Sequence, residues 1–192
     1  PHEGLFRKIC VAAERHTALG NEWSTEQLIK LLHSASQVGL LGTLERLLRS
    51  LQANRGLQRC VREASSRDLP LLFSTLVLLD DRSLLEDLTK NHRDKLHGVQ
   101  LHGLIAIMKE WPPQDKATAS SAAFKAAAVR EAIALAGRKA PSLAELQVLV
   151  EAAAQDAKAL ARLTELASSP AIIGSLPSAD APLQEVSSGI GE

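Results

Sequence analysis

Four segments of this sequence begin in the same way, and this repeated start constrains the fold more than any other feature. Each start residue is followed three positions later by Gln, Asp or Glu, and then by a Leu-x-x-Leu pair and a branched or aromatic residue. The four starts are Ser24, Ser65, His97 and Ser142. A Ser at this position accepts a hydrogen bond from the amide three residues on, and the Gln or acidic side chain reaches back. Each segment therefore predicts the N-terminus of a helix with a buried Leu face.

The spacing of the four starts predicts pairs of helices. The starts lie 41, 32 and 45 residues apart, which leaves room for two helices and their turns. Second apolar segments follow the first two starts, at Leu44–Leu51 after a Gly39–Thr43 turn and at Leu84–Leu88 after an Asp80–Ser83 turn. Such hairpins bury their apolar faces by stacking on one another. We therefore predict degenerate α-solenoid-like repeats, with an irregular helical bundle as the alternative because the spacing is uneven.

The composition favours an all-α fold. Leu and Ala dominate, Tyr is absent and aromatic residues make up 3% of the 192 residues, whereas β-rich folds depend on β-branched and aromatic residues. We predict a helical-repeat region over 1–111, ended by Trp111-Pro112-Pro113. An Ala-rich helical hairpin over 112–168 continues the same domain, with helices over 117–137 and 143–167, and residues 169–192 form an extended tail.

Charge and cysteine content limit the kinds of partner and compartment. The 22 basic and 22 acidic residues give a formal net charge of zero, so no global field attracts nucleic acid or an anionic membrane. The two cysteines do not form a disulfide framework, which favours a reducing, intracellular compartment. No apolar run approaches the roughly 20 residues that span a bilayer. Because the chain starts at Pro1 rather than Met, a removed organelle presequence would leave no trace.

Three arginines are the candidate binding residues. Arg55, Arg59 and Arg62 have helical spacing and would form one basic stripe. Such a stripe could contact RNA phosphates, an anionic lipid at a membrane surface or an acidic protein surface. The competing interpretation is a solvated helix face whose arginines pair with carboxylates one turn away. No aromatic residues alternate with the stripe, so base stacking is not supported.

No motif predicts catalysis or metal binding. His92, His97 and His102 are five residues apart, so neighbouring pairs do not share a helix face, and we expect them to be hydrogen-bonded or exposed to solvent. The sequence contains no Gly-x-Ser-x-Gly, His-Glu-x-x-His or P-loop pattern. We therefore expect a protein without catalytic residues, cofactor or metal. An enzyme whose site the sequence does not display is the remaining alternative.

The stretch from Ser24 to Trp111 resembles a known type of repeat. It combines a Leu-rich helix start such as Leu28–Ala35, a Gly or Asp turn such as Asp80-Asp81, and a second amphipathic helix. In this it resembles the octotricopeptide and FAST-kinase-like helical repeats of organellar proteins. The resemblance implies a mitochondrial or plastid home.

These observations favour a scaffold or accessory subunit of a larger, mitochondrial, multiprotein assembly. Such a protein would act through contacts with other protein subunits rather than through catalysis. The alternative is an organellar RNA-binding helical-repeat protein that uses the stripe of Arg55, Arg59 and Arg62. Peripheral contact with a membrane stays open under either interpretation.

Overall fold

The predicted all-α fold is confirmed by a computed structural model, which describes residues 3–18, 23–38, 41–53, 55–111 and 119–168. Within these ranges the chain forms ten α-helices and one 3-10 helix, and no strand. The α-helices are α1 Glu3–Ala18, α2 Thr25–Gln37, α3 Leu41–Ala53, α4 Gly56–Glu63, α5 Leu69–Leu78, α6 Arg82–Asn91, α7 Leu101–Lys109, α8 Ala119–Ala136, α9 Leu143–Ala153 and α10 Ala157–Ala167. The predicted Pro112-Pro113 break and the tail 169–192 lie outside the described residues. None of the described helices is long and apolar enough to cross a membrane.

Two of the predicted starts form complete reciprocal caps. At α2 the Gln27 amide donates to Ser24 Oγ at 3.2 Å, and the Ser24 amide donates to Gln27 Oε1 at 3.0 Å. At α9 the Glu145 amide donates to Ser142 Oγ at 3.3 Å, and the Ser142 amide donates to Glu145 Oε2 at 2.8 Å. Both caps satisfy backbone donors that a helix start would otherwise leave without partners.

The other two starts depart from the predicted pattern. The Asp68 amide donates to Ser65 Oγ at 3.3 Å and the Ser65 hydroxyl donates to Asp68 Oδ2 at 2.6 Å, in the turn before α5. The N-cap of α5 is Asp68 rather than Ser65, and its side chain makes no capping bond. The prediction that His97 starts a helix is wrong. His97 lies within the 3-10 helix Arg93–Gly98, and α7 begins only after Gln100, whose side chain makes no capping bond. An imidazole has no short hydroxyl that can reach the N3 amide in the way a Ser does.

The helices pack in two layers that follow chain order. We call α2, α5, α7 and α9 the first helices, and each of them packs on the next. The second helices α3, α4, α6, α8 and α10 likewise pack one on the next, and α1 packs on α3. The starts of α5 and α7 lie side by side, since a Cβ at Gly103 would lie 2.8 Å from Pro70 Cγ. This order of packing is the one expected of stacked hairpins.

The uneven spacing of the starts has a structural cause. The first interval contains an additional short helix, α4, between α3 and the next start. The second interval holds only α5, α6 and the 3-10 helix, whereas the third contains the 18-residue helix α8. Because α8 packs on both α6 and α7, the stack continues across the predicted division at residue 111.

An aromatic cluster joins three of these elements in the core. The ring centroid of Phe73 lies 5.2 Å from that of Trp111 and 6.2 Å from that of Phe124. The rings are stacked, with Trp111 and Phe124 also 6.2 Å apart. Such pairs contribute roughly 0.5–1.5 kcal/mol beyond the area that they bury. The cluster therefore fixes α5, the end of α7 and α8 against one another.

The prediction of one helix over 143–167 is wrong. The chain leaves the helix after Ala153, and α10 begins at Ala157. Asp156 is the N-cap of α10, and its Oδ1 accepts hydrogen bonds from the amides of Lys158 at 3.0 Å and Ala159 at 3.1 Å. A capping Asp competes with helix continuation because it offers amide donors a local acceptor. The break allows α10 to pack back against α9 and α8.

Candidate protein-binding groove

The three predicted arginines lie at α4 but in different surroundings. Arg55 precedes the helix in a left-handed conformation, with φ of 58°, and its side chain is exposed. Arg62 is also exposed, in the last turn. Arg59 is half-buried, and its guanidinium donates to the Trp23 carbonyl at 3.0 Å. The structure thus leaves Arg55 and Arg62 facing solvent, while Arg59 ties α4 to the start of α2; binding of RNA or an acidic partner by this stripe stays a prediction.

The carboxylates near this stripe are engaged elsewhere. Glu45 lies 3.6 Å from Arg49, one turn away on α3. Glu63 Oε2 accepts a hydrogen bond from the Thr25 hydroxyl at 2.6 Å, which again links the end of α4 to the start of α2. The contacts of Arg59 and Glu63 show that part of the predicted binding surface holds the fold together.

The three histidines do not converge. His92 is buried and its Nε2 donates to the Val61 carbonyl, while the side chains of His97 and His102 are exposed. Burial lowers the pKa of His92, because the charged imidazolium would lose its hydration there. In the described part of the chain, no three His, Cys, Asp or Glu side chains are grouped so that they could hold a metal ion.

The thiol of Cys60 is buried in the core. Burial raises its pKa to about 11, so the side chain stays a neutral thiol at neutral pH. Such a thiol is a poor nucleophile and a poor metal ligand, since both roles need the thiolate. Cys60 therefore acts as a small apolar core residue.

A groove of about 700 Å³ lies between α8 and the α9–α10 break. Its apolar lining comes from α8, from the last turn of α9 and from the ring of Trp111. These apolar residues are Trp111, Ala122, Ala126, Val129, Ala152, Ala154 and Ala157. Alanines on both walls leave room for another chain to approach the backbone closely, and the volume is in the range of sites that bury a small ligand.

Trp111 gives this groove a fixed aromatic wall. Its ring is half-buried and is held in place by stacking on Phe73 and Phe124. The Lys125 ammonium lies 5.8 Å from the Trp111 ring centroid, which is within the range of a cation–π contact. A tryptophan that is rigid and partly exposed is the kind of residue that contributes most to binding at protein interfaces.

Two carboxylates and two lysine side chains line the groove. Glu151 Oε1 accepts a hydrogen bond from Gln147 at 3.0 Å, and Asp156 Oδ1 caps α10. Lys125 and Lys158 also line the groove, and neither has a carboxylate partner among the described residues. The four charges that line the groove therefore sum to zero, and Lys125 and Lys158 are its two cationic groups.

A second, smaller cleft lies where α5 and α7 begin. It has a volume of about 380 Å³ and lies between the turn before α5 and the start of α7. Arg67, Gln100 and His102 line it beside Gly98 and Gly103. A Cβ at Gly98 would lie 2.7 Å from Ser66 Oγ, so the two walls are in close contact at this point.

Sequence reasoning did not find the groove because it depends on the break between α9 and α10. The sequence did contain a local signal, since Asp156 precedes an apolar helical pattern at Ala159, Leu160 and Leu163. An Asp just before such a pattern is a helix start signal. The run of alanines at 152–154 favoured continuation and obscured it.

The chain matches no known family, no curated protein and no solved structure. The resemblance of Ser24–Trp111 to octotricopeptide and FAST-kinase-like repeats therefore stays a prediction.

Proposed function

We propose that this protein is a non-catalytic helical scaffold, an accessory subunit of a mitochondrial multiprotein assembly that binds another subunit in the groove between α8 and the α9–α10 break. The observation that carries the proposal is the combination of an alanine-lined groove and the fixed ring of Trp111. Stacked helical hairpins commonly use such surfaces to hold extended or helical segments of other proteins. The resemblance to the helical repeats of organellar proteins supports a mitochondrial location.

The partner segment that we infer is an amphipathic helix whose carboxylates pair with the two lysines of the groove. Apolar side chains of such a helix would pack on Ala126 and Trp111, and its carboxylates would approach Lys125 and Lys158. Complementary charges raise the rate of association and select against basic partners. Small alanines in the walls allow the partner helix to lie close to the backbone.

A native pull-down from mitochondria of the source cells tests the proposal. The full chain is used as bait, and the eluate is divided between mass spectrometry and RNA sequencing. We expect a fixed set of protein subunits in constant ratio and no enriched transcript. A photo-crosslinking residue at Ala126 should join the bait to one of those subunits, through an acidic helical segment.

Charge reversal at the groove provides the matched variants. The double variant Lys125→Glu and Lys158→Glu should reduce recovery of that subunit by about tenfold or more, which corresponds to about 1.4 kcal/mol. Lys90→Glu is the control, because Lys90 is an exposed lysine of α6 that does not line the groove. Equal recovery with both variants would contradict the assignment of the groove.

RNA binding is the alternative outcome of the same experiment. Enriched RNA that is lost on nuclease treatment, without a stoichiometric protein set, would indicate instead that the protein binds RNA through the arginine stripe. Arg62→Ala is then the informative variant, because Arg62 is exposed whereas Arg59 holds the Trp23 carbonyl. It should reduce the dependence of the binding constant on salt.

A further inference from the structure

The end of α4 is attached to the corner between α6 and the 3-10 helix. The Val61 carbonyl accepts a hydrogen bond from His92 Nε2, and the Ala64 carbonyl accepts one from the Lys95 ammonium at 2.6 Å. A helix leaves its last carbonyls without partners inside the helix, so these side chains supply donors that the end of α4 needs. Together with the packing of α4 on α6, the two bonds hold the end of the helix.

The ring of His92 is built into the core in its neutral form. Its side chain is 2% exposed, and its second ring nitrogen, Nδ1, has no hydrogen-bond partner among the described residues. A neutral imidazole carries only a lone pair at that nitrogen, whereas an imidazolium carries an N–H donor that needs an acceptor. Protonation of His92 in this position would therefore leave a buried, charged donor without an acceptor.

The charges around His92 do not compensate for protonation. The elements that pack on α6 are α4, α5, α8 and the 3-10 helix, and α5 carries no charged residue. Over the described chain, the charged side chain that acts on His92 is Lys95, and its positive charge opposes a second one. The charged residues of α4 and α8 do not contribute to the pKa of His92; these are Arg59, Arg62, Glu63, Lys125, Arg130 and Glu131.

We propose that this attachment is an acid-sensitive switch, in which protonation of His92 detaches the end of α4 from α6 and opens the core beneath it. The imidazolium regains its hydration only by leaving the core, and the Val61 carbonyl then loses its donor. The bonds of Arg59 and Glu63 to the start of α2 involve no imidazole, so the opening is local. No residue of α4 or α6 lines the groove, and the switch does not depend on the proposed function.

The direction of the switch follows from the two states of His92. Burial lowers the pKa of the attached imidazole below the ordinary 6.5; the bond to Val61 opposes this shift, and Lys95 adds to it. In the detached state the imidazole is hydrated and has its ordinary pKa. Because the detached state binds the additional proton, the attachment is at full strength above pH 6.5. It weakens as the pH falls from there towards the lowered value.

The buried thiol of Cys60 is the reporter for this opening. Cys60 is on α4 and is 0% exposed, and Cys10→Ser leaves it as the only thiol of the chain. Its reaction with a dipyridyl disulfide, a reagent that still reacts in acid, is divided by the reaction of an unfolded peptide with the same sequence around the thiol. This ratio measures the protection of Cys60. We expect protection to be constant above pH 6.5 and to fall about tenfold per pH unit below it, until the lowered pKa is reached.

Two histidine variants test the assignment to His92. His92→Gln carries an uncharged amide donor for the Val61 carbonyl, so its protection of Cys60 should not change over this pH range, whatever its level. His97→Gln is the matched control, because His97 is exposed in the same 3-10 helix, and it should keep the pH dependence of the natural histidines. The proposal is overturned if protection does not depend on pH with both histidines present, or if His92→Gln keeps the dependence.

A second reporter distinguishes local opening from unfolding of the whole chain. Ala153→Cys, combined with Cys10→Ser and Cys60→Ala, places a single thiol at a position of 0% exposure in the last turn of α9. Helix α9 packs on α7, α8 and α10. This thiol should stay protected over the pH range in which Cys60 becomes reactive. Parallel loss of protection at both positions would mean that acid unfolds the whole chain, which would overturn the switch.

Discussion

Helices α2 and α9 begin with the same reciprocal cap but lie in different surroundings. In α2, Ile29 and Leu32 are buried beneath neighbouring helices, whereas the residues at the same positions of α9, Gln147 and Val150, are exposed. The residues seven positions after the two starts are alike, since Leu31 in α2 and Leu149 in α9 are both buried. The comparison teaches that a cap fixes where a helix starts, while the neighbouring hairpins decide how many of its sides are buried.

The largest expected effect is at the residue eight positions after each helix start, which is Leu32 in α2 and Val150 in α9. Leu32→Ala should lower the free energy of unfolding by roughly 2–5 kcal/mol, because it removes buried methyl groups and leaves a cavity. Val150→Ala should change it by no more than about 0.5 kcal/mol, since the side chain is half in solvent. Urea denaturation at low protein concentration measures both. A large loss for Val150→Ala under those conditions would show that α9 is covered within a single chain.

The close packing of α5 on α7 can be tested at Gly103. A Cβ there would lie 2.8 Å from Pro70 Cγ and 2.9 Å from Val99 Cγ1, so Gly103→Val must push α5 and α7 apart. We expect a loss of about 1–3 kcal/mol from this overpacking. Gly42→Val is the control, because a Cβ at Gly42 has no neighbour within 4 Å, and its effect should stay within about 0.5 kcal/mol. Thermal unfolding of the two variants would contradict the close approach if their midpoints agreed.

The two caps should contribute equally although their helices are buried to different extents. Ser24→Ala and Ser142→Ala each remove the acceptor for an N3 amide and should cost about 1 kcal/mol. The measurement is again the free energy of unfolding in urea. Unequal losses would mean that the value of a cap depends on the packing of its helix, which would weaken the comparison.

The smallest expected effect is a difference between the two caps in their response to pH. Hydrogen bonds from the Ser142 backbone and hydroxyl lower the pKa of Glu145, whereas Gln27 in the corresponding cap has no titratable group. A carboxylate with a lowered pKa stabilises the folded state above its unfolded pKa, and that stability is lost as pH falls through the lowered value. The amide resonance of Ser142 should therefore shift in acid, while that of Ser24 should not. Glu145→Gln should remove the shift of Ser142 and leave its cap intact.

Much of the helical framework could be predicted because its signals are local. The caps at Ser24 and Ser142 act over three residues. The predicted turn over 80–83 is confirmed at Asp80-Asp81, where Asp81 Oδ1 accepts from the Leu84 amide at 3.1 Å, but Arg82 and Ser83 already belong to α6. The arginine spacing indicates a helical segment at α4, but the boundary between α3 and α4 and the α9–α10 break were not predicted. At both places the sequence is favourable to helix on each side, so that only a single residue marks the boundary.

The candidate binding residues were less predictable because their roles depend on distant parts of the chain. Arg59 was predicted to face a ligand, but its acceptor is the carbonyl of Trp23, 36 positions earlier. Trp111 was recognised only as part of a chain break before two prolines, yet its stacking on Phe73 and Phe124 makes it a wall of the groove. Spacing along one helix carries no information about which other element a side chain will meet.

The sequence by itself determined that this protein is helical, where two of its first helices are capped, and which leucines face the core, because these properties depend on neighbours within one or two turns. Only the tertiary structure decided that the first helices stack in chain order, that the groove opens beside the α9–α10 break, and that Val150 is left uncovered. Burial of an apolar residue is a property of the surfaces that meet around it, and those surfaces come from segments that are far apart in the chain.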